Sequence, residues 1–212
     1  MTIDMTIEQK LTTIAENLEK IYAAGAGGAG AAQGKPYVDT SKGVRHHEYL
    51  FAANRWIDQL DRFDLSNITS AAYMFQNCGE LITAPAVNTS KAQRMLYMFY
   101  NCPKLVTIEG VDFSSCTNAS NAFYNDYRLQ TIVINGTIPC TIDFGTCRAL
   151  SGETIRDIMN ALSADGTGKT ITISQTALNA AFTAGGDNPF TADEWEVLKS
   201  TAQGNNWSVA LA

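Results

Sequence analysis

The chain has 212 residues, of which 45% are hydrophobic and 17% charged, and carries a formal net charge of −6 with a pI near 4.9. There is ample apolar material for a folded core, and the acidic balance without any Lys/Arg cluster excludes a nucleic-acid binder that works through a basic patch. The negative sign also argues against adhesion to anionic membranes, and no apolar run approaches the ~20 residues of a membrane span. Met1-Thr2-Ile3-Asp4-Met5 lacks the basic and apolar regions of a secretory signal peptide, so none is expected.

Residues 5–23 read as a helix. Ile7, Leu11, Ile14, Leu18 and Ile21 follow spacings of four, three, four and three, which is a heptad seam with Leu at a and Ile at d. A β-branched residue at d packs badly in a parallel dimer, so the seam favours three or four strands. Residues 1–23 are therefore expected to be an oligomerisation helix, and the expected partner is the chain itself, as a homotrimer or homotetramer. Residues 24–45 open on Gly25-Ala26-Gly27-Gly28-Ala29-Gly30, a Gly/Ala run with no side chains for a core, and read as a flexible linker.

Residues 46–150 carry an internal repeat. Tyr73-Met74-Phe75-Gln76-Asn77-Cys78 is followed by Leu81, and Tyr97-Met98-Phe99-Tyr100-Asn101-Cys102 by Leu105. Asn121-Ala122-Phe123-Tyr124-Asn125-Asp126 is followed by Leu129, at the same interval of 24 residues. Counting back by the same interval gives Tyr49-Leu50-Phe51, with Ile57 in the Leu slot. Four copies in register predict an α/β fold built as a leucine-rich-repeat-like solenoid, with the Phe and Leu slots stacked inward. Leu129-Gln130-Thr131-Ile132-Val133-Ile134 alternates as a strand, and Leu105-Val106-Thr107-Ile108 extends similarly. The Ser, Thr and Asn residues ahead of each motif suit hydrogen bonds to a turn backbone.

Residues 151–212 differ in texture and are expected to close the open end of the repeats as a helix–strand–helix–strand cap. Ile155, Ile158, Met159 and Leu162 share one helical face after Ser151, a candidate cap. Thr170-Ile171-Thr172-Ile173-Ser174 alternates as a strand. Thr191-Ala192-Asp193-Glu194 is a capping box opening a helix that Gly204 ends, and Trp207–Leu211 reads as a last strand.

The chemistry-bearing residues are sparse. Cys78 and Cys102 share a repeat slot, and Cys147-x-x-Leu150 repeats the same local spacing. An odd count of five is a poor disulfide framework, and the thiols are expected to be buried and reduced. His46-His47-Glu48 holds both histidines, and neighbours on an extended segment point apart, so no metal or cofactor is expected. Asp58, Asp61 and Asp64 lack the alternation and Gly bend of a calcium loop. With no Gly-x-Ser-x-Gly elbow, no catalytic residue is expected and the chain does not read as an enzyme. Tyr73 and Tyr97, and likewise Tyr100 and Tyr124, should stack one copy apart and are the candidate ligand-binding residues, against a reading in which they only pack the core.

The Tyr-Met-Phe-x-Asn-Cys-x-x-Leu units resemble the BspA-like leucine-rich repeats, including the variant first described in Mycoplasma lipoproteins. Phe63-Asp64-Leu65-Ser66-Asn67-Ile68-Thr69-Ser70 resembles a phrase of the same family. The likeness covers roughly residues 49 to 150; it implies a curved repeat surface that binds, and it supplies no catalytic residue. Thr6-Ile7-Glu8-Gln9-Lys10-Leu11-x-x-Ile14-Ala15-Glu16-Asn17 ahead of repeats is similar to tail-associated proteins of gut bacteriophages and prophages. The expected function is a non-enzymatic binding protein, a virion-associated tail appendage or bacterial cell-surface adhesin that meets a host surface protein or glycan. The alternative is a monomeric BspA-like surface or intracellular scaffold.

Overall fold

The computed structural model describes residues 67–185 and 189–212. Their organisation starts from the turns. Two slots of the repeated motif hold left-handed backbone: Tyr73, Tyr97 and Asn121 in one, and Asn77, Asn101 and Asn125 in the other, with φ between 53° and 69°. Asn tolerates this region because its short polar side chain bonds locally, which explains why the motif keeps Asn in the second slot.

The left-handed residues make the backbone alternate in what it pairs with. The N–H groups of Tyr73, Phe75 and Asn77 donate to the carbonyls of Leu96, Met98 and Tyr100, at 3.0, 2.8 and 2.9 Å. Those of Tyr97, Phe99 and Asn101 donate to Ser120, Ala122 and Tyr124, at 3.0, 2.8 and 2.8 Å. The intervening N–H groups of Met74, Gln76 and Cys78 turn back to the carbonyls three residues earlier. Alternate bonding within and between copies satisfies a buried backbone that is neither helix nor strand.

Strands follow each turn. Strand β1 (Thr83–Ala84), β2 (Thr107–Asp112) and β3 (Thr131–Asn135) form one parallel sheet in the order β1-β2-β3. Thr107 pairs with Thr83 on one side and Thr131 on the other, and Ile108 likewise with Ala84 and Ile132, so the interval of the motif is the register of the sheet. The register shifts between Ile108 and Val111, where β2 carries a bulge. Ala84, Ile108 and Ile132 are buried on the inner face. The polar segments ahead of the turns are ordered by their own side chains: Asn88, Asp112 and Asn118 each accept from the N–H two residues on.

The second sheet is parallel and consists of β4 (Ile142–Phe144), β5 (Thr170–Ile173) and β6 (Ser208–Leu211), in that order. Helix α1 (Gly152–Asn160) joins β4 to β5, and α2 (Gln175–Thr183) and α3 (Ala192–Gly204) lie between β5 and β6. Ser151 caps α1 by accepting from the Thr154 N–H, and Thr191 caps α3 by accepting from Glu194. The Arg156 guanidinium donates twice to the Glu194 carboxylate and ties α1 to α3.

The core runs unbroken from Ile68 through the two sheets to Trp207. Its spine is a column of parallel rings: Phe75 on Phe99 at 4.9 Å, Phe99 on Phe123 at 5.8 Å, and Phe123 on Phe144 at 4.8 Å. Leu81, Leu105, Leu129 and Leu150 are buried beside it. Phe144 went unmarked in the sequence because its interval to Phe123 is shorter than the others. The spacing Phe144-x-x-Cys147-x-x-Leu150 is nevertheless that of Phe75, Cys78 and Leu81.

The expected leucine-rich-repeat-like solenoid of four coils, closed by a four-element cap, is not the fold found among the described residues. The described chain forms two small parallel three-stranded sheets and three helices. Much of each motif is turn, and β1 is only two residues long. Beyond Asn135 the backbone is left-handed at Gly136, and β4 pairs with β5 and not with β3. The second sheet thus takes β4 from the segment assigned to the repeats and β5 and β6 from the segment assigned to the cap. Helix α2 was not foreseen, since Ala177, Ala180 and Ala181 leave it a weak apolar stripe. The first copy (Tyr49, Phe51, Ile57), the linker, the histidines and the seam of Ile7, Leu11, Ile14, Leu18 and Ile21 lie outside the described residues.

Candidate functional site: a tyrosine and asparagine face

The left-handed turns aim two side-chain slots away from the phenylalanine column. In the first, the Tyr73 and Tyr97 rings stack at 5.2 Å and 6°. One position beyond the core Phe, Tyr100 and Tyr124 stack at 5.5 Å and 13°. Tyr97 meets Tyr100 edge-on at 5.1 Å and 64°. The two columns read separately in the sequence are therefore one continuous cluster, in which Tyr97 is the joint. Tyr73, Tyr97 and Tyr100 are half-buried, and Tyr124 is 41% exposed. None of the four is fully enclosed in the core.

Asparagines edge the cluster. The Asn101 Nδ2 donates to Asn77 Oδ1 at 2.9 Å, across one copy. The Tyr127 hydroxyl donates to Asn125 Oδ1 at 2.5 Å, and the Arg148 guanidinium lies 5.4 Å from the centre of the Tyr127 ring. Tyr127, 41% exposed, extends the face and was not singled out in the sequence, since no other copy has an aromatic there. Its signal was local, a Tyr two residues after the left-handed Asn. The Lys104 ammonium pairs with Glu80 at 2.6 Å, again one copy apart.

Beneath the turns lies the cysteine slot. Cys78, Cys102 and Cys147 are fully buried, and Asp126 takes the slot in the intervening copy, also fully buried. Its Oδ1 accepts the Cys102 N–H at 2.8 Å, while its Oδ2 has no partner among the described residues. Burial drives the Asp126 carboxyl well above its ordinary value, and the Cys102 N–H pulls weakly the other way. A hydrogen bond with Cys78 and burial push the Cys102 thiol up, and burial does the same to Cys147. All five cysteines are buried.

The face offers flat apolar area, phenol hydroxyls and primary amides, with no nucleophile paired to a base. Among the described residues no group of three or more His, Cys, Asp or Glu is placed to hold a metal ion, and no helix is long and apolar enough to cross a membrane. Residues 33–135 match a family model described as "Mycoplasma protein of unknown function, DUF285", a family related to the BspA-like Mycoplasma repeat proteins. No curated protein and no solved structure matches the chain. The family match spans slightly under half of the chain, takes in the turns that carry Tyr73, Tyr97, Tyr100 and Tyr124, and marks this stretch as similar to Mycoplasma-type repeat proteins.

Proposed function

We propose that this chain is a non-enzymatic binding protein that presents the Tyr73–Tyr97–Tyr100–Tyr124 face to a glycan. The observation that carries the reading is the continuity of the cluster: stacked and edge-on rings, half-exposed, bordered by the Asn77–Asn101 amide pair. A pyranose ring lays its apolar C–H face on an aromatic plane while its hydroxyls bond to amides and phenols, so this side-chain set matches sugar chemistry. In this reading the chain serves on a virion or bacterial surface as a tail appendage or adhesin. The apolar positions Ile7, Leu11, Ile14, Leu18 and Ile21 gather several copies so that weak individual contacts add as avidity.

The test is binding of the purified chain to an array of bacterial surface glycans, followed by titration of the strongest one. Tyr100→Ala and Tyr124→Ala are each expected to weaken binding by about tenfold or more, as loss of an aromatic anchor does. Ile82→Ala, at an exposed residue outside the tyrosine cluster, is the control and should change nothing. Unchanged affinity in both tyrosine variants would overturn the assignment of the face. Light scattering of the intact chain against a chain starting at Lys35 tests the assembly, and a monomer in both would favour the monomeric scaffold reading.

A further inference from the structure

A cleft of about 580 Å³ opens between the segments 114–120 and 139–141, and two of the five thiols line it. Cys116 and Cys140 both line it, as does Lys169 at the approach to β5. The two cysteines are 24 residues apart in sequence, the same interval at which Arg94 and Asn118 pair as backbone neighbours. Their side chains are neighbours, and each acts on the charge of the other. Cys116 is 2% exposed and Cys140 5%, so the approach to the pair is from the cleft. Lys169 is held there: its ammonium donates to the Asp165 carbonyl and lies 5.9 Å from the centre of the Trp207 ring.

From this cluster we propose that Cys140 and Cys116 form a thiol-exchange site that reacts with low-molecular-weight disulfides, Cys140 attacking and Cys116 resolving. The pair is polarised by its surroundings. The hydrogen bond from Cys116 and the Lys169 ammonium pull the Cys140 thiol below its ordinary value, against the cost of burial. As the donor, Cys116 is pushed up. Of the two thiols, Cys140 is the one on which the Lys169 ammonium acts, so it is the one assigned the attack. The thiols of Cys102 and Cys147 sit in the core at 0% exposure.

The chemistry balances in two steps. The Cys140 thiolate attacks one sulfur of R–S–S–R, forms a protein–S–S–R bond and expels R–S⁻. Cys116 then gives its proton to a departing thiolate or to solvent, and its sulfur attacks the Cys140 sulfur, expelling the second R–S⁻. The small disulfide is reduced to two thiols, and the protein dithiol is oxidised by two electrons to one Cys116–Cys140 disulfide.

The experiment uses the intact protein with bis(2-hydroxyethyl) disulfide as the probe, following thiol release and mapping the products by peptide mass. The wild type is expected to release two equivalents in a fast phase and to yield a Cys116–Cys140 cross-link. Cys116→Ser should stop at a mixed disulfide on Cys140 with one equivalent released. Cys140→Ser should abolish the fast phase. In Lys169→Met, loss of the ammonium raises the Cys140 thiol and lowers its thiolate fraction, so the fast phase should slow. Unfolding midpoints measured alongside show that each variant is folded, and the wild-type peptide map stands without any variant. A fast phase that survives Cys140→Ser overturns the proposal. So does a wild type that reacts only after denaturation, or one that keeps the mixed disulfide without cross-linking.

Discussion

Replacing Phe99 by Ala tests whether the phenylalanine column holds the molecule together. The Phe99 ring is 1% exposed and lies between Phe75 at 4.9 Å and Phe123 at 5.8 Å, nearly parallel to both. The substitution removes a buried ring and leaves a cavity that the hydrogen-bonded turns on either side cannot close. Truncations of this kind cost about 3–5 kcal/mol. Native domains have only about 5–15 kcal/mol in total, so the variant should be barely stable. With a urea m-value of about 2 kcal/mol/M, a loss of about 4 kcal/mol lowers the unfolding midpoint by about 2 M. Phe99→Leu keeps most of the apolar volume but loses both stacked contacts, and should cost about 1–2 kcal/mol. Equilibrium urea unfolding followed by circular dichroism gives both values. A cost below about 1 kcal/mol for Phe99→Ala would show that the ring is not close-packed, and the reasoning from the column would fail.

Two further substitutions probe the turn and the buried carboxyl. Asn101 sits at φ 61°, so Asn101→Ala should cost about 1 kcal/mol by forcing a Cβ without a bonding side chain into left-handed backbone, and Asn101→Gly should cost less. Equal effects in urea unfolding would contradict the backbone argument. Asp126 has its carboxyl raised well above the ordinary value in the folded state, so the folded protein holds a proton that the unfolded chain releases. Its stabilising contribution is full below the unfolded pKa near 3.8 and is lost as pH rises toward the folded value, at a slope approaching about 1.4 kcal/mol per pH unit. Unfolding curves between those limits should show stability falling with pH in the wild type and a flatter dependence in Asp126→Asn; identical profiles would refute the buried-acid account.

The sequence by itself determined what is local and periodic. The interval between Phe75, Phe99 and Phe123, the buried Leu slot, and the capping residues Ser151 and Thr191 were all legible. Each depends on side-chain spacing or on one residue bonding a neighbour's backbone. Tertiary structure decided the rest, because parallel strands choose partners by which edges meet and not by their own composition. Thr131–Asn135 and Ile142–Phe144 are similar short apolar strands, yet the first pairs with β2 and the second with β5. The same holds for the side chains. A 24-residue interval places Tyr73 over Tyr97 and Tyr100 over Tyr124, but only the left-handed turns bring Tyr97 against Tyr100. Equally, nothing in the sequence around Cys140 announces Lys169, which folding brings from a distant segment to the same cleft.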